Sequence, residues 1–305
     1  MPKAASWADR MIDAPLPQTV AVLIATRGRP AILKTVLALV AAQTRVPDRI
    51  VVAATEEADV VGLDLASGVT VTFGPAGLTR QRNRALATAA GIDLLIFFDD
   101  DFLASRFWVE RVLAAFASHP NLVALTGAVL ADGIKSAGIT SEVGLAMLAK
   151  RDGSPLETSA LQDGIGPYGC NMAFRASAIT GLRFDERLPL YGWLEDADFG
   201  ALAARRGIVA RAEDLCGIHL GHKPGRVSGK RLGYSQIVNP IYLARKGTVP
   251  IGFAAKLMTK NIVANALKSL APEPWIDRAG RLRGNLVGIA DILRGRVTPE
   301  RAAKL

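Results

Sequence analysis

The stretch Leu94-Leu95-Ile96-Phe97-Phe98-Asp99-Asp100-Asp101-Phe102 decides the architecture of this 305-residue chain. Five apolar residues run into three carboxylates. A short apolar run without helical spacing reads as a strand covered on both faces. Three adjacent carboxylates cannot sit inside such a core, because an unpaired buried charge costs more than packing returns. They must lie where the strand ends, at the edge where open α/β sheets bind ligands. Alternation along the strand puts Asp99 and Asp101 on one side and Asp100 on the other. Hard oxygens on one side suit Mg²⁺ or Mn²⁺, which bridges carboxylates to a diphosphate. An acidic turn closing a strand is the plainer alternative.

Working outward, the sequence predicts strands at 20–26, 49–55 and 69–73 and helices at 31–43 and 79–90 before the acidic strand. Pro30 suits the start of the first helix. This β-α-β-β-α-β order implies an α/β fold with a mostly parallel sheet and crossover helices. After the acidic strand come a helix at 108–119 and a strand at 123–130. Residues 131–162 lack a clear period, apart from a short helix at 143–150. Residues 164–175 cross from a Gly-rich loop into a strand, where glycine admits a close-lying ligand. The last sheet strand is predicted at 208–215. The units are a lead-in at 1–18, an α/β domain at 19–245 and a basic helical tail at 246–305.

Half of the residues are apolar, enough for a large core, and the two cysteines argue against a disulfide scaffold and for a reducing, cytoplasmic setting. No apolar run reaches the roughly 18 residues of a membrane span. The net charge is +9, and residues 246–305 hold eleven Lys/Arg against four Asp/Glu, so +7 of it lies in the tail. Leu282, Leu286, Ile289 and Leu293 form a narrow apolar stripe there, flanked by Arg283 and Arg294. Such helices lie on a membrane surface or pack on the main domain. Nucleic acid is not indicated, since no nucleic-acid-binding module is recognisable.

Three further clusters carry chemistry. Glu195, Asp196 and Asp198 open a helix, where acids favour its positive end or serve as a general base toward a hydroxyl. His219 and His222 follow a strand end, without the cysteine pair of a zinc site, and suit a metal or a phosphate. Lys223, Arg226, Lys230 and Arg231 lie in a Gly-containing loop that suits a diphosphate or is simply exposed. Arg82 and Asn83 lie one turn into the helix that precedes the acidic strand.

Together these stretches resemble glycosyltransferase family 2, over residues 18 to 245. The resemblance rests on Ile24-Ala25-Thr26-Arg27-Gly28-Arg29-Pro30, on 77–90 with Arg82-Asn83, on Asp99-Asp100-Asp101, on Gly169-Cys170-Asn171-Met172-Ala173-Phe174-Arg175 and on Glu195-Asp196. It implies a Rossmann-like glycosyltransferase A fold, here with a C-terminal amphipathic extension. It implies an inverting transfer from a nucleoside-diphosphate-sugar, UDP-sugar favoured, to a saccharide hydroxyl. By the same resemblance Thr26 and Arg27 line the nucleotide pocket, and Asp99 and Asp100 face base and ribose. Arg29, Arg82, Asn171, Lys230 and Arg231 join the donor-binding set. Asp101 binds Mn²⁺ or Mg²⁺, with His219 as C-terminal ligand and His222 as second choice. Asp196 is the base, with Glu195 beside it. One departure is the end of the second strand, Ala53-Ala54-Thr55-Glu56-Glu57, where the family carries an Asp-rich turn; Glu56 is the nearest counterpart. The basic tail suggests a polyprenyl-diphosphate-linked acceptor at the inner face of the membrane, in exopolysaccharide or lipopolysaccharide assembly. A sugar-phosphate nucleotidyltransferase is a rival, but residues 26–30 make a poor phosphate loop for one. A non-catalytic saccharide- or nucleotide-binding member is the other rival.

Overall fold

The computed structural model describes residues 18–63, 68–154, 159–222 and 228–305. Most of the lead-in and residues 223–227 of the basic loop lie outside them. The core is a nine-stranded sheet in the order β3-β2-β1-β4-β8-β6-β9-β5, with β7 paired to β9. Its strands are β1 (Val20–Ala25), β2 (Arg49–Ala54), β3 (Val69–Phe73), β4 (Leu94–Asp99), β5 (Phe102–Ala104), β6 (Leu122–Asp132), β7 (Gln162–Asp163), β8 (Asn171–Arg175) and β9 (Ile208–His219). β1 to β4, β6 and β9 run one way, whereas β5, β7 and β8 run against them. The sheet is therefore mostly parallel, as the β-α-β pattern predicts. β1 and β4 are apolar and buried because helices cover both faces of the sheet.

The covering helices are α1 (Pro30–Ala41), α2 (Leu78–Thr88), α3 (Trp108–Ser118), α4 (Ser141–Asp152) and α5 (Glu195–Ala204). One face carries Trp108 edge-on to Phe98 at 4.9 Å. On the other, Phe184 stacks on Phe199 at 4.1 Å, and Phe97 and Phe174 meet them edge-on. Two strands run further than the sequence pattern suggests. β6 continues to Asp132 and β9 to His219. Between the pairs Gly127–Ala212 and Ala128–Cys216, β9 holds three unpaired residues that β6 does not match. This bulge breaks the alternation at Glu213-Asp214-Leu215, so a reading by period stops short of the strand's end.

Three long helices close the chain: α6 (Gly229–Lys246), α7 (Ile251–Lys268) and α8 (Arg278–Leu293). The seam between α6 and α8 is made of glycine. A Cβ on Gly233 would sit 2.0 Å from the Arg281 carbonyl oxygen, and one on Gly284 equally close to that of Lys230. Amides fill the seam: Asn285 donates to the Gly233 carbonyl at 2.7 Å, and Asn265 donates to Asn285 and to Gln236 at 2.9 Å each. α6 ties this unit to the sheet domain. Asn239 donates to the Trp193 carbonyl, and Lys246 bridges Asp185 and the fully buried Asp198. The predicted leucine stripe is not the packing face: Leu286 is 59% and Leu293 82% exposed.

Candidate active site

The ends of β1 and β4 lie side by side, pairing Ala25 with Asp99. From there the chain builds two acidic clusters. In the first, one ligand atom each from Asp99, Asp101 and His219 converge within 4.8 Å of one another. β5 pairs antiparallel with β9, matching Phe102 with His219, and so carries Asp101 to the imidazole. His219 Nε2 lies 3.3 Å from Asp101 Oδ1. Two carboxylates and an imidazole form a donor set that suits Mn²⁺ or Mg²⁺, so the residues present fit a divalent cation. Burial works against a charge on His219, but its hydrogen bonds to Asp101 and Asp132 raise its pKa to about 10. Burial would also push Asp101 up, yet His219 and Arg29 hold it below the usual range. His222 meets this cluster through its main chain, donating to Asp101 Oδ2 at 2.8 Å.

Asp100 faces the other way. It accepts from the Thr26 hydroxyl at 2.8 Å and from Arg29 Nη1 at 2.9 Å. Burial, with the neighbouring Asp101 charge, raises its pKa to about 7 against the pull of Arg29. The turn after β1 is clamped by Asp59, which accepts from the main-chain N–H groups of Gly28, Thr55 and Glu56 and from the Thr55 hydroxyl. Gln81 on α2 donates to the Thr26 and Ala53 carbonyls, fixing the ends of β1 and β2. Arg27 and Glu56 are exposed beside this turn.

The second cluster opens α5. The loop before it has positive φ at Leu190 (60°), Gly192 (64°) and Leu194 (73°), a strained path of the kind found at functional sites. Asp196 Oδ2 accepts from the Gly169 N–H at 2.9 Å, and its Oδ1 from Ala197 N–H at 2.8 Å. A Cβ on Gly169 would come within 3.2 Å of Asp196 and 3.3 Å of Glu195, so glycine permits that approach. Burial pushes Glu195 up to about 8, opposed by Arg82.

Arg82 joins the clusters. Its buried guanidinium donates to Glu195, to Asp99 at 2.9 Å and to the Gly169 carbonyl at 2.7 Å. Asp196 and Asp101 thus belong to one connected arrangement: Asp101 converges with Asp99, Arg82 holds Asp99, Glu195 and Gly169, and Gly169 holds Asp196. Asn83, next to Arg82, exchanges hydrogen bonds with the Phe184 main chain. Asn171 is fully buried and spends its side-chain oxygen on Thr126 and Gly127. Lys230 and Arg231 occupy the first turn of α6, half-buried, with Ser228 capping the Arg231 N–H.

Sequence reasoning missed Asp59, Asp132 and Tyr168. Asp59 lies three residues past Glu56, in a stretch with an acid at three of four positions. Asp132 lies in a segment without periodicity and reaches His219 only through the folded pairing of β6 with β9, and Tyr168 lies in the Gly-rich loop before β8, held there by Thr126 and Asn171.

No family model matches the chain, and no curated protein matches it in sequence. Solved structures do match in fold. Staphylococcus aureus TarS residues 1–349 in complex with UDP-GlcNAc align at 14% identity and TM-score 0.56, over 94% of this chain and 84% of that one. The mannosyltransferase PcManGT of Pyrobaculum calidifontis, in complex with GDP-Man and Mn²⁺, aligns at 15% identity and TM-score 0.52, over 97% and 89%. Glucosyl-3-phosphoglycerate synthase of Mycobacterium tuberculosis, in complex with Mn²⁺, UDP and phosphoglyceric acid, aligns at 15% identity and TM-score 0.50, over 76% and 79%. With its parallel β3-β2-β1-β4 half and an acidic β4 end beside a second acidic helix start, the chain has the glycosyltransferase A fold.

Proposed function

We propose that this protein is an inverting, cation-dependent glycosyltransferase acting on a nucleoside-diphosphate-sugar. The observation that carries this reading is Arg82, one buried cation shared by Asp99 of the cation-type cluster and by Glu195 beside Asp196. In this reading a diphosphate beside Asp99 would lie next to a proton acceptor at Asp196. The fold neighbours crystallised with UDP-GlcNAc, GDP-Man or UDP support the donor class.

The roles follow from position. Thr26, Arg27, Arg29 and Asp100 form the nucleotide side of the cleft, with Glu56 at its rim. Asp101, Asp99 and His219 would hold Mn²⁺ or Mg²⁺. Bound there, the cation supplies Lewis-acid charge for the departing diphosphate. Lys230 and Arg231 add positive charge from the start of α6. Asp196 is the base. Its two main-chain hydrogen bonds fix the carboxylate while leaving it lone pairs for an acceptor hydroxyl, whose proton it takes as that oxygen attacks the anomeric carbon. A single displacement from the face opposite the diphosphate inverts the centre. Glu195 positions Arg82.

The acceptor is a saccharide carried on a lipid diphosphate. No helix among the described residues is long and apolar enough to cross a membrane. However, α7, the turn after it and α8 expose Val263, Leu267, Leu270, Leu286 and Leu293, and Lys256, Lys260, Arg283 and Arg294 are exposed in the same segments. Apolar side chains edged by cations suit an anionic bilayer surface, which supports a role in surface-polysaccharide assembly at a cytoplasmic leaflet.

The test is a thermal-shift screen of UDP and GDP with and without Mn²⁺, followed by donor turnover. A bound donor nucleotide raises Tm by mass action. Asp196→Asn is expected to lower kcat by roughly a hundred- to ten-thousand-fold with nucleotide binding retained. Unchanged turnover in that variant would overturn the assignment of the base. Pyrophosphate release from a nucleoside triphosphate and a sugar phosphate would overturn the transferase reading.

A further inference from the structure

The geometry points to Asp132 as the residue that orients His219 for a divalent cation, with Tyr168 locking Asp132 in turn. The inference rests on the proposed cation site. Asp132 ends β6, directly paired with His219 at the end of β9. Its Oδ1 lies 2.9 Å from His219 Nδ1 and also accepts the Ile134 N–H at 3.1 Å. Its Oδ2 accepts the Tyr168 hydroxyl at 3.0 Å. The Tyr168 ring stands edge-on to the imidazole, centroids 6.3 Å apart and planes at 86°.

An ionised carboxylate has no proton to give. The hydrogen in the Asp132–His219 bond therefore sits on Nδ1. That leaves Nε2, the nitrogen facing Asp101, as the lone pair a cation takes when the ring is neutral. Asp132 thereby sets the tautomer and the tilt of the ring. Its negative charge also makes Nε2 a stronger donor, the usual effect of a carboxylate behind a ligating histidine. Asp132 has a second job, capping the short 3-10 turn Gly133–Lys135 through Ile134. Its role toward the cation has to be separated from that cap.

Two variants separate them. Asp132→Ala removes both roles. Asp132→Asn keeps a cap acceptor and the side-chain volume but removes the charge. Mn²⁺ binding is read by electron paramagnetic resonance of free Mn²⁺, and the His219 tautomer by ¹⁵N resonance of the Mg²⁺-loaded protein. UDP binding without metal reports on the rest of the cleft. Asp132→Ala is expected to weaken Mn²⁺ roughly ten- to a hundred-fold, and Asp132→Asn by less. Metal-free UDP affinity should be unchanged, and kcat should recover at saturating Mn²⁺. Nδ1 protonation should be clear in the Mg²⁺-loaded unmodified protein, and in Asp132→Ala it should require a correspondingly higher Mg²⁺ concentration. If Asp132→Ala does not fold, Asp132→Asn decides. Mn²⁺ affinity unchanged in a folded variant, or an equal loss of metal-free UDP binding, would overturn the inference. No Mn²⁺ binding by the unmodified protein would instead overturn the cation site itself, and the role of Asp132 with it.

Discussion

The two halves of this molecule solve packing in opposite ways. In the sheet domain the large apolar side chains are inside: Phe97, Phe174, Phe184 and Phe199 interlock, and the polar groups lie at the strand ends. In α8 the glycines and an amide are inside, and Leu286 and Leu293 are left out. Backbone meets backbone where α6 and α8 cross at Gly233 and Gly284. The contrast shows that an apolar stripe does not by itself name a packing face. In α8 the buried face includes Gly280, Gly284, Asn285 and Gly288, and of the stripe Leu286 and Leu293 stay exposed.

The largest test of the comparison lies in the sheet domain. Phe199→Ala should cost about 3–5 kcal/mol in chemical denaturation, because it opens a cavity in a rigid aromatic cluster. Next comes Gly284→Val. It places a side chain against backbone that cannot yield, at the upper end of the roughly 1–3 kcal/mol of overpacking. Its signature should be separate transitions for helix and sheet, since the insult is confined to the α6–α8 seam. Asn285→Ala should cost about 1–3 kcal/mol for each buried partner left unsatisfied, here Asn265 and the Gly233 carbonyl.

A smaller effect concerns the joint between the halves. Burial opposes the charge on Asp185, but Lys246 and Tyr242 hold its carboxyl below the usual range. Its contribution is therefore full above the unfolded value of about 3.9 and is lost as pH falls through the folded value. The Tm gap between the unmodified protein and Asp185→Asn should shrink between neutral pH and pH 3. Last, Leu286→Ser with Leu293→Ser should change stability by no more than about 0.5 kcal/mol yet abolish flotation with anionic vesicles. Undiminished flotation would return those leucines to an ordinary exposed surface.

Much of the site could be read in the sequence because charge clustered against apolar runs is a local signal. Asp99 to Asp101 announced a strand end, and Glu195-Asp196 a helix start. The parallel half of the sheet was equally plain, since β1, β2 and β4 are unbroken apolar runs. What could not be read depends on non-local pairing. That Arg82 binds both clusters requires α2 to lie beneath them. That Asp132 meets His219 requires two strands 87 residues apart to match after irregularities on both. The glycine seam was hidden for another reason: a stripe of leucines outweighs glycines in any hydrophobic pattern, although the glycines make the contact.

The three extra residues of β9 between Ala212 and Cys216 carry a consequence for how this site tolerates change. Glu213 to Leu215 have no register partner on β6, so a deletion among them would first shorten the bulge. The pairs beyond it, from Ala128–Cys216 to Asp132–His219, would persist as long as the remaining chain spans the step from Ala212 to Cys216. The bulge is slack in the strand, able to absorb a change of length before histidine and aspartate are drawn apart.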